Sequence, residues 1–373
     1  MTRDKLKICY ISNSAAPSIN ASSLQTAKLC ESLSRLNHDV KLILPETGFK
    51  KDYFKFYNIK KKFEIKRIKY FNVFPTGINY YLYSIVSLFV SNIKNSDLFI
   101  TRNFFTSLIL SFLKKDHILE IHDDILVEGR IIRFLIKRLK ILNYQSIRKI
   151  ITTTHTLKKR YIQEYKVKSK KIQVLHNASS IFPSFRFETK KKKRLKIGYF
   201  GSLFKSRGID LFINLSILNK ENDYYIYGGS KSNINSFKKK YKNKNLNFRK
   251  YVAYSKIDKE IKKIDVCLLP YTSKITVSGD IGDISNYTSP LKIFDFMITG
   301  KLIVCSNLKV IREVLKHNKN SLLIKKFTNI RIWLKTIKLI SKKYHKYNKI
   351  RHEAHKYAKK NDIDWRAKKI LFF

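Results

Sequence analysis

The feature that most constrains the fold is a regular alternation of short apolar segments with longer amphipathic ones. The segments KLKICYIS (5–12), DVKLILP (39–45) and HILEIHD (117–123) are typical of buried strands, and helical patterns lie between them. Strands that alternate with helices form parallel sheets. The same alternation resumes at LKIGYFGS (195–202) and continues to KLIVCSN (301–307). We therefore predict an α/β protein built from two consecutive halves.

A basic segment that contains a proline, SSIFPSFRFETKKKKR (179–194), separates the two halves. A chain of 373 residues is also too long for one ordinary core. We predict a first domain over 1–180, a linker over 181–193 and a second domain over 194–356. The remaining segment, 357–373, has apolar anchors that include Trp365, and we expect it to pack back on the first domain as a helix.

The formal net charge of +51, from 78 basic and 27 acidic residues, has two explanations. One is a polyanionic partner, which could be nucleic acid, an anionic membrane or phosphate groups. The other is a biased genome, because Lys, Asn, Ile, Phe and Tyr all have A/T-rich codons. Nucleic-acid binding is the rival function, but it rests on charge alone, since the basic residues are spread along the chain without a zinc or RNA-binding signature. We expect no nucleic-acid partner.

Cysteine usage and the N-terminus both indicate a cytoplasmic protein. The four cysteines, Cys9, Cys30, Cys267 and Cys305, have no metal-ligand spacing, and three lie in strand-like segments, as reduced core residues do. The charged start MTRDKLK does not resemble a signal peptide.

Two segments raise the question of a membrane. Residues 70–93 carry no charge, but they are too polar and too interrupted for a spanning helix, so we predict a packed helix after a loop. Arg130, Arg133, Lys137 and Lys140 follow helical spacing between apolar residues, a pattern that suits a helix resting on an anionic membrane surface. A core-facing helix with a solvated basic back has the same pattern, and both interpretations stay open.

The segment GYFGSLFKSRG (198–208) has the order strand, glycine turn, helix start. Gly201 would let the backbone approach a ligand, and the following amides could point at an anion. Lys205 and Arg207 lie in this loop, and Arg207 could hold phosphate oxygens. The alternative is that these are ordinary solvated loop charges.

The segment SPLKIFDFMITGK (289–301) predicts a helix with Ser289 as its N-cap and Pro290 as its first residue. Lys292 in the first turn opposes the helix dipole unless an anion is bound there. The amides around Ser289 and Leu291 could hold that anion, and Asp295, one turn further on, could accept hydrogen bonds from ribose hydroxyls. The alternative is a surface ion pair between Lys292 and Asp295.

At these residues the chain resembles a family 4 glycosyltransferase of the GT-B fold, and the resemblance covers nearly the whole chain. The matching segments are KICYIS with the helix and DVKLILP that follow it, EIHDD, VLHNASS, GYFGSLFKSRGIDL, SPLKIFDFMITGKLIVCSNLKVIREVL and DIDWRAKKIL. Each segment is a weak signal alone, and their order and spacing make the resemblance specific.

The resemblance implies an α/β GT-B fold, with two Rossmann-like domains facing each other across a cleft. It implies a retaining, metal-independent glycosyltransferase without a cofactor. Such an enzyme moves a sugar from a nucleotide-sugar to a glycan or lipid-linked acceptor in cell-surface polysaccharide synthesis. Carried over to this sequence, Arg207 binds the diphosphate, Asp295 the ribose, and His122 faces the donor sugar. Lys292 and the amides around Ser289 and Leu291 are further phosphate contacts, and Gly201 and Lys205 belong to the phosphate loop.

The chain also departs from the family pattern. Tyr287 and Asp295 stand where the family often has two glutamates. The first acidic role is therefore either lost or moved to Asp283. Asn20 and Ala21 stand where the family usually has a pair of glycines in the first loop. Ser202 stands where the family commonly has an arginine.

Two alternative functions therefore stay open. One is an inverting transferase with a general base near Asp123, and the other is an inactive GT-B scaffold. Separately, His122 could be structural, as a lone histidine after an apolar strand usually is.

Overall fold

A computed structural model describes residues 5–46, 52–69, 76–122, 130–182, 193–276 and 283–372. The chain forms two compact units, of which the first comprises residues 1–177 and 363–373 and the second residues 178–362. The predicted linker lies mostly outside the described residues, as do Asp123 and most of the segment before the uncharged helix.

The first unit is a seven-stranded parallel sheet, with the strand order β3-β2-β1-β4-β5-β6-β7. Its strands are β1 (Lys7–Ile11), β2 (Asp39–Pro45), β3 (Glu64–Ile68), β4 (Leu98–Thr101), β5 (His117–Ile121), β6 (Ile147–Thr152) and β7 (Ile172–Val174). Its helices are α1 (Ala21–Arg35), α2 (Tyr53–Tyr57), α3 (Thr76–Val90), α4 (Phe104–Phe112), α5 (Arg130–Arg138) and α6 (His155–Tyr165), with α13 (Ile363–Leu371) added from the end of the chain.

The side chains of β1 show how this sheet is covered on both faces. Ile8 and Tyr10 belong to a buried cluster with residues of α1 and α13. Cys9 and Ile11 point the other way, into a cluster with residues of α3 and α4. Because successive side chains of a strand alternate between faces, an unbroken apolar strand requires helices on both sides.

The second unit is a six-stranded parallel sheet, with the strand order β10-β9-β8-β11-β12-β13. Its strands are β8 (Lys196–Phe200), β9 (Asp223–Tyr227), β10 (Leu246–Arg249), β11 (Val266–Leu269), β12 (Leu302–Ser306) and β13 (Leu322–Ile324). Its helices are α7 (Ile209–Leu218), α8 (Lys231–Lys240), α9 (Tyr254–Lys262), α10 (Leu291–Ile298), α11 (Ile330–Lys342) and α12 (Asn348–Lys360). The predicted alternation of strands and helices is confirmed in both units.

The C-terminal segment divides between the two units. Ala358 is buried in the core of the second unit and Tyr357 packs against the same core, so residues 357–362 lie there and not in the first unit as expected. The segment that belongs to the first unit begins at Ile363. Within it, Ile370 is fully buried and Trp365 is a half-buried neighbour of the same core.

The described residues contain no helix long and apolar enough to cross a membrane. Within the uncharged segment, Thr76–Val90 form the predicted helix, α3, and the predicted loop before it lies outside the described residues. All four cysteines are buried and free, which also agrees with the sequence.

Candidate active site

Two glycine turns meet at the carboxyl end of the second sheet, where open α/β sheets bind ligands. Gly201 follows β8 with φ +145°, and Gly228 follows β9 with φ +134°. The Gly201 amide donates to the carbonyl of Tyr227 across 2.9 Å. A Cβ atom at Gly228 would collide with the Gly201 carbonyl oxygen, so both positions need glycine. The result is bare backbone at the site predicted for phosphate.

Lys292 lies directly over this turn. Its Nζ donates to the carbonyl of Phe200 across 2.5 Å, and a side chain at Gly201 would occupy the place of that Nζ. Lys292 is half-buried, and burial lowers its pKa to about 7, with the charge of Arg207 acting in the same direction. Among the described residues Lys292 has a neighbouring cation and no carboxylate partner, so a bound anion would favour its charged form.

Arg207 lies in the loop that follows this turn, six residues after Gly201. It ends a short 3₁₀ helix, Lys205–Arg207, and its Nη2 donates to the carbonyl of Thr276 across 2.6 Å. Its guanidinium also lies 5.8 Å from the centre of the Tyr271 ring, within the range of a cation–π contact. Lys205 is exposed. The structure thus brings Arg207 and Lys292 together, while Lys205 points to solvent.

Helix α10 begins one residue later than the sequence suggested. Pro290, with extended backbone angles of φ −67° and ψ 121°, is the N-cap, and Leu291 is the first helical residue. The predicted N-cap, Ser289, therefore lies outside the helix. Pro290 itself makes no side-chain capping bond, and its carbonyl accepts from the Ile293 amide across 3.2 Å. The amides at the start of a helix are the groups that commonly bind an anion.

Asp295 is buried, with 6% of its surface exposed. Its Oδ1 accepts hydrogen bonds from the hydroxyls of Ser179, at 2.6 Å, and Tyr254, at 3.2 Å. Burial raises the pKa of Asp295 to about 6, although these two hydrogen bonds act against the shift. Asp295 does not pair with Lys292, so the surface ion pair considered from the sequence is not formed. Its partners are hydroxyls, the kind of donor that a ribose also offers.

Asp283 organises the loop before α10. Its carboxylate accepts from the amides of Ser285, at 2.9 Å, and Ile275, at 3.2 Å. Burial acts to raise the pKa of Asp283, but the hydrogen bonds outweigh it, so the pKa lies below its ordinary value. Tyr287 also belongs to this loop, because its hydroxyl donates to the Asp283 carbonyl across 3.0 Å. Tyr287, which replaces the first glutamate of the family pattern, is thus hydrogen-bonded to Asp283, the candidate for its role.

His122 follows β5 in the first unit and lies beside a buried cluster of charges. The centre of the cluster is Glu120, with no exposed side-chain surface, which accepts from Arg366 at 2.8 Å, Tyr10 at 2.9 Å and Arg102 at 3.4 Å. The His122 Nε2 lies 3.8 Å from Glu120 Oε1. Burial, assisted by Arg102, lowers the pKa of His122 to about 4, so the ring is neutral at physiological pH.

Sequence reasoning missed this cluster, although one signal was present. A glutamate in the middle of the buried strand HILEI needs a cation. The sequence does not show which cation that is. The role of His122 at a donor sugar stays a prediction.

The sequence contains an Asp-x-Asp spacing, at Asp362 and Asp364, and two neighbouring carboxylates could hold a metal only if both were free. Here the Asp364 carboxylate accepts from Arg35 Nη2 at 2.6 Å and from the hydroxyl of Ser32. It therefore fixes α13 to α1.

Comparisons with known proteins show which family the chain belongs to. A model of glycosyl transferases group 1 matches residues 181–361, and a model of glycosyltransferase family 4 matches residues 23–179. No curated protein sequence matches the chain.

Solved structures are similar to the chain over almost its full length. Anabaena HepE in complex with UDP has a TM-score of 0.72 at 14% identity, with 98% of each chain covered. A glycosyltransferase of Rickettsia africae has a TM-score of 0.72 at 13% identity, covering 99% of this chain and 97% of its own. WaaG, a glycosyltransferase involved in lipopolysaccharide biosynthesis, has a TM-score of 0.62 at 12% identity, covering 97% and 98%.

The two parallel sheets and these matches define a glycosyltransferase of the GT-B fold. The two family models lie end to end along most of the sequence. The chain belongs to the family 4 glycosyltransferases.

Proposed function

We propose that this glycosyltransferase takes its sugar from a nucleotide-sugar and binds the diphosphate between Arg207, Lys292 and the start of α10. The observation that carries the proposal is that Lys292 lies over bare glycine backbone with a second cation, Arg207, near enough to act on it. Arg207 is close enough to Lys292 to depress its pKa, which is unfavourable in the empty protein. A diphosphate would offset that repulsion and accept hydrogen bonds from amides at the start of α10.

The ribose then lies toward Asp295, one turn along the helix. Asp295 has one methylene less than the glutamate of the family pattern, and Ser179 and Tyr254 already occupy its Oδ1. Ribose hydroxyls would join or replace those two donors. UDP is the first nucleotide to test, because the similar HepE structures contain UDP, UDP with glucose, or UDP-glucose.

The same groups supply the chemistry that a metal ion supplies elsewhere. When the bond from the sugar to the leaving phosphate breaks, negative charge grows on the phosphate oxygens. Donors already aimed at that position stabilise the charge without reorganising. We propose on this basis that transfer needs no divalent metal, and the family resemblance adds that the anomeric configuration is retained.

The acceptor we propose is a glycan or a lipid-linked glycan of cell-surface polysaccharide synthesis. WaaG, which has the same fold, is involved in lipopolysaccharide biosynthesis. The basic helix α5, with Lys137 and Arg138 exposed, suits an enzyme that works at the inner face of a membrane.

A thermal-shift screen against UDP-, GDP- and other nucleotide-sugars tests the donor. A ligand at 100 times its Kd stabilises the folded protein by about 2.7 kcal/mol. We expect one nucleotide to raise the Tm of the wild-type protein and to have a weaker effect on Arg207→Ala. Lys205→Ala is the matched control, because Lys205 lies on the same turn but is exposed. A screen in which no nucleotide changes the Tm would contradict the proposal.

Two further measurements address the mechanism. Turnover that persists after treatment with a chelator supports metal independence, whereas loss that magnesium or manganese restores contradicts it. NMR of the newly formed glycosidic bond shows whether the configuration is retained or inverted.

A further inference from the structure

Helices α3, α4 and α5 are neighbours in the first unit, with α4 packed against both others. Their outward surface is here called the three-helix face. It carries seven of the fourteen large apolar side chains that are strongly exposed among the described residues. These are Ile78, Ile85, Phe89, Phe112, Leu113, Phe134 and Leu139. Single exposed apolar residues are ordinary, but such a concentration on adjacent elements marks an interaction surface.

The composition of α3 makes this face unusual for a surface in contact with water. Its sequence, TGINYYLYSIVSLFV, contains no charged residue. Ile78, Ile85 and Phe89 lie at i, i+7 and i+11, so they form one stripe along the helix. They are 48%, 40% and 80% exposed. A helix whose outer side is apolar needs a partner that is itself apolar.

Basic residues surround the apolar ones at the ends of the same helices. Lys94 and Lys114 follow α3 and α4, and Lys137, Arg138 and Lys140 lie at the end of α5, all of them exposed. Of the two acidic residues nearby in the described part of the chain, Asp116 pairs with Arg148 across 2.6 Å, and the carboxylate of Asp97 accepts from the Lys7 amide across 2.7 Å. The rim of the face is therefore strongly positive, although its centre is apolar.

An apolar centre with a positive rim favours a membrane over the other candidate partners. Nucleic acid would match the lysines but not Phe89 or Phe134. A second copy of this basic chain would match the apolar residues and repel the rim. An anionic bilayer offers phosphate at the level of the lysines and hydrocarbon just beneath it, so it matches both.

We propose that the three-helix face docks on an anionic lipid bilayer, with Phe89 and Phe134 inserted at the interface and the lysines at the headgroups. This rests on the proposed function in one respect, since it places the enzyme where a lipid-linked acceptor would be. It differs from docking by a basic helix alone, because insertion of apolar side chains gives binding that salt only partly reverses.

The experiment is flotation of the full-length protein with phosphatidylcholine vesicles, with and without phosphatidylglycerol, at low and high salt. Phe89→Ser with Phe134→Ser should lower the partition coefficient about tenfold or more at both salt concentrations, because two large apolar side chains no longer insert. Lys137→Gln, Arg138→Gln and Lys140→Gln together should lower binding mainly at low salt, since salt screens charges beyond about 10 Å at 0.1 M. Leu218→Ser, on α7 of the second unit and 52% exposed, is the matched control and should bind as the wild type does.

The outcomes are distinct. Equal flotation of the wild type and the Phe89/Phe134 variant overturns the proposal, and so does an absence of binding by the wild type. A change from dimer to monomer in the same variant, without an effect on flotation, assigns the face to a second copy of the chain. Nucleotide binding in the thermal-shift screen is measured without lipid, so either proposal can fail while the other stands.

Discussion

Arg366 donates from Nη2 to Glu120 Oε1 across 2.8 Å, and neither side chain is exposed. The two residues are 246 positions apart, one in the last helix and the other in the fifth strand of the first unit. Their pairing, with the hydrogen bond from Arg366 Nε to the His176 carbonyl at 3.2 Å, ties α13 to the sheet beside His122. The end of the chain is thereby part of the first unit's core.

The first prediction concerns this buried pair. Arg366→Met leaves the Glu120 carboxylate buried without one of its positively charged partners. Breaking such a buried pair commonly lowers the free energy of unfolding by about 3–5 kcal/mol. We expect a large fall in the free energy of unfolding, measured with urea. Glu120→Gln combined with Arg366→Met removes both charges and should recover part of the loss. If Arg366→Met unfolds at the same urea concentration as the wild type, the pair does not hold α13 in place.

The second prediction concerns the diphosphate contacts. Arg207→Ala and Lys292→Ala each remove a donor aimed at the charge that grows on the leaving phosphate, so kcat should fall more than nucleotide affinity. Loss of one such donor commonly costs on the order of 100-fold in turnover. Steady-state kinetics with the cognate donor provide the measurement, and Lys205→Ala is the control. Near wild-type turnover in both variants would place the diphosphate elsewhere.

The third prediction concerns pH. The pKa of Lys292 is about 7 in the empty folded protein, compared with the ordinary lysine value of 10.5 that applies to the unfolded chain. Between these values the unfolded state binds more protons, so the contribution of Lys292 to stability rises with pH through this range. The diphosphate favours charged Lys292, so nucleotide affinity should decline as the pH rises above about 7. Titration calorimetry of the wild type and Lys292→Met over this range is the test, and parallel pH profiles would refute the assignment.

The fourth prediction concerns Asp295, whose pKa is raised from 3.8 to about 6. The folded state binds more protons between these values, so the contribution of Asp295 to stability is present at low pH and is lost as the pH rises through 6. Asp295→Asn keeps an oxygen for Ser179 and Tyr254 without the buried charge. At neutral pH we expect the empty variant to gain about 1 kcal/mol, or roughly 2–4 °C in Tm.

Nucleotide affinity should move in the opposite direction in Asp295→Asn, because an amide oxygen is a weaker acceptor for ribose hydroxyls than a carboxylate. Differential scanning calorimetry with and without nucleotide measures both effects in one series. A variant that gains stability and binds nucleotide as the wild type does would show that Asp295 only anchors Ser179 and Tyr254.

Much of the fold could be predicted because it depends on local patterns. Buried strands of parallel sheets are continuous apolar segments, so KIGYF and LIVCS can be recognised as strands from the sequence. The first residue of α10 could not be placed as well. Serine and proline both suit a helix start, and the extended backbone of Pro290 decided between two adjacent positions.

Part of the candidate site was also predictable. Gly201, Arg207 and Lys292 stand out as a glycine after a strand, a cation in the next loop and a lysine at a helix start. The contact of Lys292 with the Gly201 turn could not be predicted, because the packing of α10 against the sheet places Lys292 over Gly201.

The sequence by itself determined the alternation of strands and helices, the division into two halves and the residues suited to phosphate. Each of these depends on neighbours within a few positions or on the regular spacing of apolar residues along the chain. Only the tertiary structure decided that Asp295 meets hydroxyls and not Lys292, that Arg366 neutralises Glu120, and that the uncharged helix α3 leaves Phe89 exposed. The physical reason is that burial and pairing depend on which distant segments meet, and a side chain's partner across a sheet leaves no local trace.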